Sequence, residues 1–443
     1  MARNLPSILR RAMYNLRGGF LIRPLTIAVA LGGAGGLLSW VEEVFPRAGA
    51  WVPAILFPSH KDPQVAQVIL AGIAASMMTV VSIVFAILLM TLTLASMQFS
   101  PRIIVSFSRD RVTQWTLGIF LGTFCYCIAA LPAARSIPHP FAPVATVLGA
   151  MLLALICVGW LLFFIHHISQ AISVNHIVDR IAGETEAVID DVMPWPHLPE
   201  PYLREERPAT LPEEIPLASD ESGYIRFVDV KRLAALAKQY HVRVRALRRV
   251  GHFVPAGIAL MMVSKGSRLD PAQAENLVKA FDLGPTRTLQ QDVEFGVLQI
   301  VDIALKAISP AVNDPTTAIS CVDQLSRVMI RFAARQAPDE LLYDPPGVIR
   351  VSVGWMQFPR LLDSAFEQIR MYAKSDLAVS LRLLRALTDI ATSTQDPEYR
   401  RILIERGART VAGSAEKLGE DEMTELRARL EVLEALMPGS PAL

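Results

Sequence analysis

Two groups of polar side chains in this sequence are of types that do chemistry, and both lie among helical segments. The first is the stretch ISPAVNDPTTA at 308–318, which separates two segments of helical periodicity. A carboxylate, an amide and two hydroxyls beside a helix N-terminus could bind an anion or a hydrated cation. The candidate residues of this site are Asn313, Asp314, Thr316 and Thr317.

The same stretch is also typical of a corner between two helices. Pro310 ends the first helix and Asn313 tolerates a left-handed backbone conformation. Asp314 is a favourable N-cap, and Pro315 suits the first position of the next helix. The sequence therefore leaves two interpretations open, a ligand site and a structural corner.

Arg287 and Asp292 are the remaining candidates for the site at this corner. They begin the amphipathic helix that periodicity predicts over 288–308. That helix is ~30 Å long at 1.5 Å per residue, so its start is far from the corner at its end. We therefore expect both residues to join the site only across a subunit boundary, or if the hairpin folds back differently.

The second polar group is a row of small and hydroxyl side chains in the apolar run at 66–99. On a helix the row forms a stripe about 100° wide, which Leu89 interrupts. One interpretation is a helix contact made by small residues. The other is a pore wall in which Leu89, together with Met90, forms a hydrophobic constriction. The candidate pore-lining residues are Thr79, Ser82, Ala86, Leu89, Thr93 and Ser96.

The composition explains where these groups must lie. With 443 residues, 52% apolar and 19% charged, the chain is too apolar for an average soluble enzyme and too charged to be membrane throughout. The net charge of +1 gives no reason to expect a nucleic-acid partner. Four apolar runs are each near or above the length that spans a bilayer. They fall at about 24–41, 66–99, 112–131 and 143–166.

The flanks of these runs predict the orientation. The basic segment 1–23 carries five arginines and no acid, and arginines also dominate the loop after the second run, at Arg102, Arg109 and Arg111. By the positive-inside rule both segments face the cytoplasm. The sequence therefore predicts a multi-pass protein of the bacterial inner membrane with both termini in the cytoplasm.

Several absences in the sequence narrow the chemistry. None of the four runs contains Asp, Glu, Lys or Arg before its ends, whereas proton pumps and ion-coupled transporters usually need such a group. The four cysteines have no metal-site or disulfide spacing. No nucleophile motif, phosphate loop or zinc motif occurs. We therefore expect no enzyme activity, no cofactor and no metal site.

The glycines of GGAGG at 32–36 predict a packing seam within the first helix.

The sequence predicts a mainly α fold, in which a four-helix transmembrane domain (24–168) precedes a cytoplasmic α+β domain. Continued helical periodicity predicts a helical stalk, although packing on the chain's own soluble domain explains the pattern equally well. Strand-like alternation predicts a small β-rich module. The predicted parts are the stalk at 169–193, a Pro/Glu-rich linker at 194–220, the module at 221–265 and a helical domain at 266–443.

Three segments of the sequence are distinctive: SPRIIVSFSRDRVTQWTLGIFLGTFCY (100–126), RTLQQDVEFGVLQIVDIALKAISPAVNDPTTA (287–318) and AFEQIRMYAKSD (365–376). They resemble a large family of predicted bacterial membrane proteins classed as a domain of unknown function. The resemblance spans nearly the whole chain, and SPAVNDPTTA is its most specific part. It implies an integral inner-membrane protein with this number of helices. It implies no established activity, so no catalytic residue is carried over.

Together these observations predict a homo-oligomeric, channel-like permeation protein in the lipid bilayer. In this hypothesis the second helix lines the path, and the cytoplasmic domain regulates or assembles the oligomer. The alternative is a membrane-anchored sensor or scaffold whose cytoplasmic domain binds a ligand or a protein partner. The sequence identifies neither the small ligand nor the ion.

Overall fold

The structure, a computed structural model, consists of two compact units. Met1–Ser173 forms the membrane unit and Val174–Leu443 forms the C-terminal unit. The predicted basic segment up to residue 21, as well as Arg102 and Arg109, lies outside the described residues. The described residues are 22–45, 62–98, 111–136, 140–171, 173–193, 214–264, 266–336, 338, 340–344 and 348–437.

Four long apolar helices make up the described part of the membrane unit. Each is long and apolar enough to cross a membrane, and the bounds agree within a few residues with the predicted runs. The predicted fold class is confirmed, because these four helices precede a domain of small sheets and helices. The helices are α1 (Ile22–Val44), α2 (Pro63–Gln98), α3 (Arg111–Ala130) and α4 (Val144–Ala171).

Glycines bring α1 and α3 into close contact. A Cβ atom at Gly35 of α1 would lie 2.5 Å from the carbonyl oxygen of Tyr126 and 3.0 Å from its Cα atom. On α3, Gly118 leaves room in the same way for the side chain of Ile27. Small residues at such contacts let two helix backbones approach. The predicted packing seam in GGAGG is therefore confirmed.

We expect Gly35→Ala to destabilise the membrane unit by about 1–3 kcal/mol, because the added methyl group meets backbone that cannot rotate away. A lower thermal transition temperature of the purified protein in detergent would report this loss. Gly33→Ala is the matched control, since no atom lies within 4 Å of a Cβ atom at Gly33. An equal fall in both variants would contradict the seam.

The end of α1 caps the start of α4 through one buried carboxylate. Glu42 is 3% exposed, and it accepts hydrogen bonds from the backbone N–H groups of Ala145 (2.8 Å) and Thr146 (3.1 Å). The Thr146 hydroxyl donates a third, at 3.0 Å. A carboxylate at a helix N-terminus satisfies amides that have no partner inside the helix. The predicted first run stops at residue 41 because of this glutamate, whereas the helix continues to Val44.

Two small sheets organise the first half of the C-terminal unit. The strands are β1 (Glu214–Ala218), β2 (Gly223–Val228), β3 (Val244–Ala246), β4 (Phe253–Val254), β5 (Ala259–Ser264), β6 (Phe281–Gly284), β7 (Leu341–Asp344) and β8 (Val348–Ser352). The larger sheet has the order β1-β5-β3-β8-β7 and the smaller has the order β4-β2-β6. β3 and β8 pair in parallel, and the other described pairs are antiparallel.

The sheets change two predicted boundaries. The linker predicted over 194–220 ends earlier, because Glu214–Ala218 pairs with β5 as an edge strand; residues 194–213 lie outside the described part. The module predicted over 221–265 also does not contain all the strands of its sheets. β6, β7 and β8 complete the sheets from the segment 266–443, which the sequence predicts as the helical domain. Local periodicity does not show which strands pair when they lie so far apart in sequence.

Helices complete the C-terminal unit. They are α5 (Val174–Val192), α6 (Val230–Gln239), α7 (Pro271–Val278), α8 (Val293–Ala307), α9 (Pro315–Ala333), α10 (Phe358–Tyr372), α11 (Leu377–Ser393), α12 (Pro397–Ser414) and α13 (Glu420–Glu434). α8 and α9 form a hairpin that α10 and α11 extend. Aspartates cap many of these helices, as Asp side chains favour. They are Asp229, Asp270, Asp292, Asp314, Asp376 and Asp396.

α5 corrects the predicted stalk. α4 ends at Ala171 and α5 begins at Val174, so the continuous helix predicted over 169–193 is interrupted. One face of α5 is apolar and buried, and it packs against α8 and α9. A helix with one apolar face is stable in water only when that face is covered. Packing on the chain's own domain, the alternative that periodicity left open, is what the structure contains.

Candidate functional site

The predicted pore-lining residues lie on the face of α2 that points away from its helix neighbours. Thr79, Ser82, Ala86 and Thr93 are all exposed in the single chain, and Leu89 is 51% exposed. The side chain of Ser96 lies outside the described part. The opposite face of α2 is the one that packs inside the membrane unit. Its buried residues are Ala66, Leu70, Ala74, Met77 and Val84.

The hydroxyl groups of this stripe bond within their own helix. The hydroxyl of Thr79 donates to the carbonyl of Ala75 at 3.2 Å, and that of Thr93 donates to the carbonyl of Leu89 at 2.8 Å. Ser82 makes the same bond to the carbonyl four residues earlier, at 2.9 Å. Such bonds satisfy the donor and leave the oxygen lone pairs of the hydroxyl available. The stripe can therefore face either water or a neighbouring helix.

The NDPTT segment forms the predicted corner between α8 and α9. Asn313 has a φ angle of 49°, in the left-handed region. Asp314 caps α9, and Pro315 occupies its first turn. The carboxylate of Asp314 accepts hydrogen bonds from the backbone N–H of Thr317 at 3.1 Å and from its hydroxyl at 2.6 Å. The structural corner is therefore confirmed, while Asn313 and Thr316 point outward and are exposed.

We expect Asp314→Ala to lower the free energy of unfolding by about 1 kcal/mol at neutral pH, the usual value of a lost N-cap. The hydrogen bond from the Thr317 hydroxyl lowers the pKa of Asp314 most, and the hydrogen bond from the Thr317 backbone N–H lowers it further. The cap therefore stabilises the fold above the unfolded pKa, about 3.9, and is lost as pH falls through the folded pKa. Thermal unfolding of both proteins at pH 7 and at acid pH checks this: the difference should shrink in acid. Unchanged stability with lost ligand binding would instead support a ligand site.

Arg287 and Asp292 meet each other but not the corner. The guanidinium of Arg287 donates to both carboxylate oxygens of Asp292, at 2.7 and 2.8 Å. Asp292 also accepts from the backbone N–H of Phe295 at 3.1 Å and so caps α8. The corner lies at the other end of α8, which has 15 residues and is therefore ~22 Å long. Within one chain, the candidates predicted from the sequence thus divide into two separate places.

Around Arg287 the structure builds a buried charge network. Glu294 accepts hydrogen bonds from Arg287 and Arg249, both at 3.1 Å, and its other oxygen accepts from the hydroxyl of Ser364 at 3.1 Å. Burial alone would raise the pKa of Glu294, but the charges and hydrogen bonds of Arg249 and Arg287 lower it. The network joins the loop after β3, the start of α8 and the helix α10. Its two cations and two carboxylates balance in charge.

Two residues of the loop after β3 fit around this network. Gly251 has a φ angle of 88°, and a Cβ atom there would lie 2.6 Å from a carboxylate oxygen of Asp292. Glycine is therefore required by both the backbone conformation and the close approach. Next to it, the pKa of His252 is lowered to about 4, mainly by burial and further by the positive charges of Arg249 and Arg360. Its imidazole is therefore neutral at physiological pH.

A small cavity adjoins the network. Its volume is about 30 Å³, and its lining includes Arg249, Gln291, Asp292 and Trp355. This volume holds one or two water molecules, whereas ligand pockets usually measure about 300–1,000 Å³. Within the described part of the chain, no three His, Cys, Asp or Glu side chains cluster in a way that could hold a metal ion. The network is therefore a polar core in which both carboxylates already accept hydrogen bonds from arginines.

The sequence identified half of this network. Arg287 and Asp292 lie within one turn of the start of a predicted helix, so their pairing is local. Arg249 and Ser364 lie 45 and 70 residues from Glu294, so local patterns do not connect them. The available signal was the glycine after the Arg-Arg pair in RRVGHF (248–253), which marks a left-handed turn.

Comparison with known proteins places the chain among membrane proteins. The sequence model of the family described as Predicted membrane protein (DUF2254) matches residues 17–389. An uncharacterized protein of Mycobacterium bovis is 31% identical over 414 residues, which cover 92% of this chain and 78% of the relative. An uncharacterized protein of Mycobacterium tuberculosis strain H37Rv shows the same identity and coverage. No solved structure matches the chain.

Proposed function

The chain belongs to the DUF2254 family of predicted membrane proteins, and we propose that it is a homo-oligomeric, channel-like permeation protein. Copies of the chain surround a path that α2 lines. The C-terminal unit assembles the oligomer or regulates the path. In this proposal the chain is not an enzyme and needs no cofactor, and its partners are lipid and further copies of itself.

The observation that carries the proposal is the exposed stripe on α2. Small and hydroxyl side chains at helix surfaces in membranes are typical of contacts with other helices or with water. Thr79, Ser82 and Thr93 face away from the helices of their own chain. If several copies turn this stripe inward, the same residues line a shared path, and lipid contacts only the outer apolar faces.

Leu89 supplies the gate in this arrangement. It interrupts the stripe, and its neighbour Met90 is exposed as well, at 65%. Apolar side chains that narrow a pore can close it by excluding water, without any charged group. A ring of Leu89 side chains therefore provides a hydrophobic constriction between the hydroxyl groups of Ser82 and those of Thr93.

The distribution of charge supports passive permeation. The interior of each apolar run lacks Asp, Glu, Lys and Arg, which are the usual groups of proton-coupled transport. Two carboxylates lie at the end of α1: Glu42 caps α4, and Glu43 forms an ion pair with Arg135. No carboxylate in the described part of the spans is thus available for proton coupling.

The arginine-rich flanks support an orientation. Arg10, Arg11 and Arg17 precede the first span, and Arg109 and Arg111 precede the third. Under the positive-inside rule these segments face the cytoplasm. We therefore infer an inner-membrane protein whose termini and C-terminal unit lie in the cytoplasm.

Electron-microscopy class averages of the detergent-solubilised particle test the proposal. The expected result is a ring of copies with the α2 helices around a central axis. A monomer, or a dimer with α2 at its edge toward detergent, would overturn the channel. Mass photometry of the same sample gives the number of copies independently.

A membrane-anchored sensor or scaffold is the second candidate, and one observation favours it. The hydroxyl donors of Thr79, Ser82 and Thr93 are satisfied inside α2, so the stripe can also face lipid at little cost. In that case the C-terminal unit binds a ligand or a protein partner, and the particle need not form a ring. The class averages therefore distinguish the two candidates.

A further inference from the structure

α5 uses its apolar face entirely inside the C-terminal unit. Ile177, Ile181 and Ile189 are buried together with Ala182, and the helix packs against α8 and α9. The approach to α8 is close: a Cβ atom at Gly296 would lie 2.0 Å from the hydroxyl oxygen of Thr185. α5 is therefore fitted to this surface, although in sequence it directly follows the fourth membrane helix.

A row of ion pairs runs along the same contact. Arg327 of α9 binds Glu186 of α5 with distances of 3.1 and 2.5 Å, and it also binds Asp179 at 2.8 Å. One turn further along α9, Arg331 binds Asp190 with distances of 2.9 and 2.6 Å. Arg335, a further turn along, contacts the same carboxylate. Arginines at spacings of four residues share one helix face, so the row follows the whole length of the contact.

The two parts of the contact contribute differently. The side chains of Arg327 and Arg331 are 43% and 37% exposed, so salt screens their ion pairs and each contributes little by itself. The side chain of Arg335 is only 4% exposed. The buried apolar side chains supply most of the attraction. The ion pairs fix the register of α5 along α9, because Arg327 binds Asp179 and Glu186, whereas Arg331 and Arg335 bind Asp190.

We propose that the contact of α5 with α8 and α9, here called the α5 clasp, is strong enough to keep the rest of the C-terminal unit bound to α5, and so to the membrane helix α4 before it, when the chain after α5 is cut. The boundary between the compact units falls between Ser173 and Val174, before α5. In this proposal the covalent connection after α5 is not needed to keep α5 and the rest of the C-terminal unit together. This inference does not depend on the proposed channel.

The test cuts the chain on either side of α5. A recognition sequence for a site-specific protease is inserted between Glu200 and Pro201 in one protein, and between Ser173 and Val174 in another. Both proteins are purified in detergent with an affinity tag at the N-terminus, cleaved, and returned to the affinity resin. Because the tag is on the membrane unit, the C-terminal fragment stays on the resin only if it remains bound to that unit.

We expect the fragment cut after Glu200 to stay on the resin and the fragment cut after Ser173 to leave it. Release after the first cut would overturn the α5 clasp. Retention after the second cut would also overturn it, because α5 would then not be the connection.

Variants cut after Glu200 identify the surface that holds the fragment. Ala182 is fully buried and Ala187 is exposed on the same helix, so Ala182→Asp and Ala187→Asp form a matched pair. We expect retention to fall about tenfold for Ala182→Asp, because a carboxylate is costly to bury without a partner, and to stay unchanged for Ala187→Asp. Equal retention of both fragments would overturn the proposal.

A charge exchange tests the contact on its exposed side, where folding is not at risk. We expect Arg327→Glu to reduce retention at low salt, because the new carboxylate then faces Asp179 and Glu186, and added salt should lessen this loss by screening the repulsion. Adding Glu186→Arg to the same protein should restore part of the retention, since one pair is then rebuilt with reversed charges. Equal retention of all three proteins at low salt would contradict the assigned register.

Discussion

Arg287→Met is expected to lower the free energy of unfolding of the C-terminal unit by about 3–5 kcal/mol, the usual loss when one partner of a buried ion pair is removed. Arg287 is the cation that Asp292 and Glu294 share. The side chain of Asp292 is 2% exposed, so water cannot replace the guanidinium. Chemical denaturation of the purified protein, followed by tryptophan fluorescence and circular dichroism, measures the change.

The loss of stability caused by Arg287→Met should become smaller as the pH falls. In the unmodified protein the arginines lower the pKa of Glu294, so its pairing stabilises the fold above the unfolded pKa of about 4.3. That contribution is lost as pH falls through the lower, folded pKa. A protonated carboxyl group no longer needs the guanidinium. We therefore expect the difference between the two proteins to narrow in acid.

Arg385→Met is the matched control for this prediction. Arg385 is 61% exposed and reaches Asp389 only at 4.0 Å. Exposed pairs of this kind contribute about 0–1 kcal/mol, so the control should unfold almost as the unmodified protein does. A loss of similar size in both variants would mean that the buried network has no special role in stability.

Leu89→Ser is expected to raise the ionic conductance of reconstituted protein severalfold. A hydroxyl in place of an apolar side chain lets water wet a narrow constriction and so opens a gate that works by dewetting. Planar-bilayer recordings at matched protein density give the measurement. If Leu89→Ser leaves the conductance unchanged, Leu89 does not form a gate.

Leu155→Ser is the control on another membrane helix. Leu155 is 70% exposed on α4, whereas the proposed path is lined by α2. The substitution is the same but lies away from the stripe. We expect it to leave the conductance at the level of the unmodified protein, and a rise equal to that of Leu89→Ser would indicate general damage to the membrane unit.

Local rules sufficed for the membrane helices and for the corner. A long apolar run has few alternatives to a spanning helix. The helices of the structure differ from the predicted runs only at their ends, for example where α1 continues past Glu42. At the corner, Asn313, Asp314 and Pro315 each specify a backbone state by themselves. The structure accordingly matches the expected cap at Asp314.

Local sequence patterns could not predict the contacts between segments that lie far apart in the chain. The predicted linker reached residue 220, because β1 is recognisable only through its pairing with β5. The periodicity of 169–193 predicted an amphipathic helix but could not say which surface covers it. Likewise, no local pattern connected Arg249 with Glu294, which the fold brings within 3.1 Å of each other.

Water accessibility along α2 tests the central claim most directly. In a protein whose four native cysteines are replaced by alanine, single cysteines are placed at Thr79, Ser82, Ala86 and Thr93, and at Leu155 of α4 for comparison. After reconstitution, a membrane-impermeant thiol reagent should modify the four stripe positions and spare the cysteine at Leu155. If the stripe positions are as unreactive as that comparison position, the stripe faces lipid or protein, and α2 does not line a path for water.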